Sequence, residues 1–186
     1  SKKPVIGLVS GLQIAGGFDM MTSQPTPAWM VIDQLREGFE VRSIGPQADS
    51  IDPDITTLLL VHPAALSPAM QYAVDQFVMN GGKAMVFVDP YCESARTSPN
   101  PMMPQEPSAT ASSLGPLFSA WGIDYAMDKV VADPGTALQI SFAADAPPTA
   151  HPGFLGLGPD NAARSDVITA RLESLNLGFT GALAPA

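Results

Sequence analysis

The sequence predicts an α/β fold in three layers, a mostly parallel sheet with helices on both faces. Short apolar runs without polar alternation, "VIGLVS" at 5–10 and "TLLLV" at 57–61, have the pattern of strands buried on both sides. Two segments of helical period open on a hydroxyl residue followed by proline, "TPAWMVIDQLREG" and "SPAMQYAVDQFVMNGG". Between residues 4 and 90 the order is strand, helix, strand, strand, helix, strand, which calls for parallel pairing through helical crossovers.

Val5 to Ser10 reads as the first strand and runs into a Gly-rich loop, "GLQIAGGFDMMTSQ". The first helix is expected with Thr26 as N-cap and Pro27 in the first turn. Its buried face is Ala28, Val31, Ile32 and Leu35, and Gly38 is its stop. "FEVRSIG" is the second strand. After an acidic loop carrying Asp49, Asp52 and Asp54, Thr57 to His62 forms the third and most apolar one. Ser67 and Pro68 open the second helix, which buries Met70, Ala73, Val74, Phe77 and Val78 and closes at Asn80-Gly81. Ala84 to Val88 is the fourth strand.

Residues 95–112, with four prolines among small polar residues, are expected to form a mobile loop. Beyond it a short helix runs through Leu117 and Trp121, followed by a strand region and by the strand "ALQISFA". "DAPPTAHPGFLGLGPDN" reads as a second loop, and "SDVITARLESLNLGF" as a short helix passing into an extended segment. The whole, 1–186, is expected to be a single α/β domain.

Composition narrows the function. A net charge of −9 argues against nucleic acid and against anionic membrane surfaces, both of which demand basic patches. A single cysteine forms no internal disulfide, and no apolar run approaches the length of a bilayer span. The chain begins almost on a strand and stops at "GALAPA", and is expected to be a piece of a longer protein.

The runs "LLLVHPAALSPAMQYAVDQFVMNGGKAMVFVDP", "LFSAWGIDYAMDKVVAD" and "VITARLESLNLGFTGAL" resemble the auxiliary component of gliding-motility-type ABC transport systems. The resemblance covers nearly the whole chain and is most specific in "YAVDQFVMNGGK…VFVDP". It implies a flavodoxin-like domain, close to the class I glutamine-amidotransferase type. It also implies a longer, membrane-anchored bacterial protein exposed in the periplasm, outside the cytoplasmic membrane. The partners implied are an ABC permease and ATPase, with a sugar or another polar small molecule as candidate ligand. The family brings no catalytic residues, so neither an enzyme nor a cofactor is expected.

The residues themselves frame the same choice. Cys92 follows the fourth strand in "VDPYCES", where an amidotransferase would place its nucleophile. A nucleophile elbow needs small neighbours and a lowered thiol pKa, whereas Pro90, Tyr91 and Glu93 crowd the turn and Asp89 and Glu93 disfavour the thiolate. Ser10, His62 and Asp89 each end a strand, an arrangement a Ser-His-Asp triad would share, but "GLVSG" is not the G-x-S-x-G elbow and turn chemistry explains all three. A phosphate loop lacks its Lys-Ser/Thr, and His62, His151 and Cys92 are too scattered for a metal motif. What remains is a crevice at the carboxyl edge of the sheet, where Ser10, Gln13, His62, Asp89, Tyr91 and Glu93 gather. An extracytoplasmic binding or docking domain is the leading reading. The alternatives are an amidotransferase-like hydrolase using Cys92 or Ser10, and a scaffold that binds no small ligand.

Overall fold

A computed structural model of the chain describes residues 2–19, 23–96 and 110–186. In chain order the first half carries β1 (Val5–Ser10), β2 (Gly17–Asp19), β3 (Gln24–Thr26), α1 (Met30–Gly38), β4 (Glu40–Ser43), β5 (Ile55–Val61), α2 (Pro68–Met79) and β6 (Lys83–Phe87). The second half carries α3 (Pro116–Ala120), β7 (Ile123–Tyr125), β8 (Ala137–Ile140), β9 (Thr149–Leu157), β10 (Leu175–Gly178) and β11 (Leu183–Pro185). Residues 97–109 of the proline-rich segment expected to be mobile lie outside the described residues.

The central sheet has the order β4-β1-β5-β6 and is parallel throughout. Successive side chains of a strand leave opposite faces, so an unbroken apolar run feeds two cores at once. Val5 and Val9 of β1 and Leu58 and Leu60 of β5 enter one core, with Met70 and Val74 of α2 and Leu117 and Phe118 of α3. Ile6 and Leu8 of β1 and Leu59 of β5 enter the other, with Ile14 and with Ile32 of α1. The β4–β5 crossover is a loop rather than a helix, and its Ile44, Ala48 and Ile51 pack on the α2 side.

α2 forms as its sequence dictates. Ser67 Oγ accepts the Met70 N–H at 3.0 Å, Pro68 occupies the first turn, and Gly81 ends the helix in the left-handed region with φ 89°. α1 does not start where its sequence suggests. Thr26 is drawn into pairing with Gly17, and Trp29, whose N–H donates to Ile14 O at 2.9 Å, is the extended residue before the helix. Pairing of β3 with β2 therefore outweighs the Thr26–Pro27 cap. Ile32 becomes the buried residue of α1 and Val31 faces outward.

The second half differs more. Residues 149–157, read as loop, are the middle strand of an antiparallel sheet of order β10-β9-β8. Pro152 and Gly153 concealed it. Pairing with β8 slips between His151 and Leu155, so the missing N–H of Pro152 falls in the irregularity and removes no ladder bond. The helix expected after Ser165 is replaced by turns: Asp166 Oδ1 caps the Ile168 N–H, while Val167 and Ile168 stay exposed. With no core to cover, the segment gains nothing to offset helix nucleation. The acidic loop is also less free than its composition suggests, since Arg42 bonds Asp52 and Asp54 at 2.8 and 2.9 Å.

Candidate functional site

β1 and β5 are neighbours whose crossovers leave to opposite sides, so the sheet's topological switch point lies between their carboxyl ends. The two chains meet closely there. His62, buried directly after β5, adopts φ 47°, and its carbonyl accepts the Gly11 N–H at 3.1 Å. A Cβ on Gly11 would stand 2.5 Å from that oxygen, so only glycine fits this approach. Ser10 Oγ accepts the Leu12 N–H at 3.0 Å, and Gln13 lies exposed in the loop beyond.

β6 brings the next residues to the same edge. Phe87 O accepts the His62 N–H at 2.9 Å. Asp89 is clamped by Ser112, whose N–H donates to Asp89 O at 2.8 Å and whose Oγ accepts the Asp89 N–H at 3.0 Å. The Asp89 carboxylate then accepts the Tyr91 N–H at 2.8 Å, turning the chain at Pro90. Through this turn Tyr91 meets Phe179 edge-on, 5.3 Å between ring centroids, and Cys92 is drawn inward.

The electrostatics follow from burial among acids. Burial pushes the Asp89 carboxyl above its ordinary range, partly opposed by the Tyr91 amide. Burial likewise raises the Cys92 thiol, with Asp89 and Glu93 adding to the shift against the Ala95 amide. Tyr125 is pushed up to about 12 by burial and by the charge of Asp89. The thiolate is thus disfavoured at neutral pH, the reverse of an attacking cysteine.

Tyr91 and Glu93 open onto a cleft of about 540 Å³, whose walls also include Asp128, Val130, Phe142 and Phe179. The two phenylalanines of its wall belong to one ring cluster: Phe179 lies 4.8 Å from Phe154 and 5.6 Å from His151, and Phe142 lies 5.4 Å from His151. A second cavity of about 340 Å³ has Leu66, Leu114 and Met127 in its walls and, among the described residues, no titratable side chain.

The six residues read from the sequence therefore divide. Ser10, His62 and Asp89 sit around the switch point, with Gln13 outside it, while Tyr91 and Glu93 belong to the cleft. Asp128, Phe142 and Phe179 were not legible as site residues. They arrive through the strand pairings of the second half, and no local motif marks them. Among the described residues no group of His, Cys, Asp and Glu gathers to hold a metal ion, and no helix is long and apolar enough to cross a membrane.

No curated protein and no solved structure matches the chain. A parallel sheet with a close switch point, a buried cysteine and an aromatic, acidic cleft do not by themselves name a family, and the family is shown by the sequence as a whole. The model of the ABC-type uncharacterized transport system family matches residues 3–186, and the chain belongs to that family.

Proposed function

We propose that this chain is a non-enzymatic, extracytoplasmic solute-binding domain of a bacterial ABC transport system of the gliding-motility type, working beside a permease and an ATPase. The family match over residues 3–186 carries the reading, since it makes the chain an auxiliary component of ABC transport along essentially its whole length. The extracytoplasmic and membrane-anchored setting rests on the resemblance carried by residues 58–90 and the two later runs. A flavodoxin-like, three-layer fold is supported by the sheet order, which counts as 2-1-3-4 when its four strands are numbered along the chain.

Two observations support binding without catalysis. The Cys92 thiol is buried and raised, which disfavours its thiolate, and the Ser10 hydroxyl oxygen accepts the Leu12 N–H in its own loop, the part of a turn residue. The cleft beside Tyr91 is of ligand size.

The test is capture from cross-linked, detergent-solubilised membranes of the native host, using the tagged chain in its full-length context. Recovery of the permease and ATPase subunits, with retention of transport in Cys92→Ser and Ser10→Ala variants, is the expected result. Recovery of neither subunit overturns the transport reading, and loss of transport in either variant overturns the non-enzymatic one. Protease accessibility in intact spheroplasts checks the location.

A further inference from the structure

We infer that the cleft between the end of β6 and the second half of the chain receives a small organic cation, with an alkylammonium head seated against Phe142, Phe179 and Tyr91 and facing the carboxylates of Glu93 and Asp128. This rests on the solute-binding reading above and names the solute class.

The chemistry of the lining selects the charge. Three aromatic rings and two carboxylates share one cavity, and among the described residues no lysine or arginine lines it. Ring faces carry negative quadrupole potential, so rings and carboxylates attract the same ligand charge. Phe142 is 67% exposed although it makes edge-on contacts with His151 and Phe154, which leaves much of the ring available to a ligand. Tyr91 and Phe179 are held in a fixed edge-on pair, so this part of the wall is pre-formed.

Asp89 and the net charge of the chain carry the same sign. Asp89 lies behind the Pro90–Tyr91 turn, and its charge together with that of Glu93 disfavours the Cys92 thiolate. The chain as a whole carries −9. An anionic solute is repelled by this field, and a neutral sugar gains ring contacts but nothing from it. A quaternary or alkylated ammonium gains from both, and its weak hydration makes transfer to a partly apolar cleft inexpensive.

The test is isothermal titration of the purified protein with choline, with its neutral analogue in which a tert-butyl carbon replaces the nitrogen, and with glucose. Choline is expected to bind, the analogue at least about tenfold more weakly, and added salt to weaken choline selectively. Phe142→Leu and Glu93→Gln change exposed side chains and are expected to fold normally, as a melting curve checks. Each is expected to weaken choline roughly three- to tenfold. The inference is overturned if the analogue matches choline, if neither substitution changes choline binding, or if no choline binding is detected. Glucose bound in place of choline overturns the cation while leaving a solute-binding domain. Failure of subunit capture, read in the separate membrane experiment, overturns the transport reading without touching this one.

Discussion

Replacing Gly11 by alanine tests whether β1 and β5 meet as closely at the switch point as the geometry states. The added methyl would lie 2.5 Å from the His62 carbonyl oxygen. A carbon and a carbonyl oxygen rest at about 3.3 Å or more, so the two strand ends must part by roughly 0.8 Å. The oxygen has no flexible side chain to yield. It belongs to a backbone held by the Gly11 N–H at 3.1 Å and by the His62 N–H bonded to Phe87 O at 2.9 Å. Overpacking of this kind costs about 1–3 kcal/mol. Restricting the unfolded chain returns about 0.4–1 kcal/mol. From the middle of each range the expected net loss is about 1.3 kcal/mol, or roughly 3–5 °C in Tm for a chain of this size. Thermal and urea unfolding followed by circular dichroism measure it. Gly158→Ala is the matched control, because Gly158 is extended at φ −95° and ψ −174° and its Cβ would meet nothing within 4 Å. That variant keeps or slightly raises the wild-type Tm. A Gly11→Ala protein as stable as the wild type would refute the close approach.

Ser67→Ala removes the acceptor for the Met70 N–H at the start of α2, and a loss of about 1 kcal/mol is expected in urea unfolding; an unchanged midpoint would mean that the cap contributes nothing. Cys92, buried and raised, should react with iodoacetamide at neutral pH more slowly than a free thiol and accelerate as pH rises; rapid stoichiometric alkylation at pH 6 would restore the nucleophile reading. The Tyr125 hydroxyl is buried without a hydrogen-bond partner among the described residues, so Tyr125→Phe is expected to be neutral or stabilising at pH 7. The same tyrosine is raised to about 12 when folded. Above its ordinary value of about 10 the unfolded chain loses a proton that the folded chain keeps, so stability falls as pH rises through that window. Tyr125→Phe should flatten this part of the pH–stability profile, and an unaltered slope would count against the buried hydroxyl.

Where a segment's own residues set both its conformation and its buried face, the sequence alone determined the outcome. Leu58 to Leu60 are apolar without alternation, and such a run is stable only between two covered faces, which placed β5 inside a parallel sheet. Ser67, Pro68 and Gly81 determined the ends of α2 for equally local reasons, a cap, a pre-set φ and a left-handed stop. Pro90, Tyr91 and Glu93 crowd the turn at Cys92 in the sequence itself, and Tyr91 and Glu93, expected at the sheet's carboxyl edge, line the cleft there. The rest depended on partners far along the chain. Thr26 has the chemistry of a cap, but Gly17 claims it for a strand. Pro152 reads as a breaker until the slip in the β8–β9 ladder removes the need for its N–H. Asp128, Phe142 and Phe179 carry no motif because they line the cleft only by meeting Tyr91 and Glu93 across it, a juxtaposition of distant segments that tertiary packing alone creates.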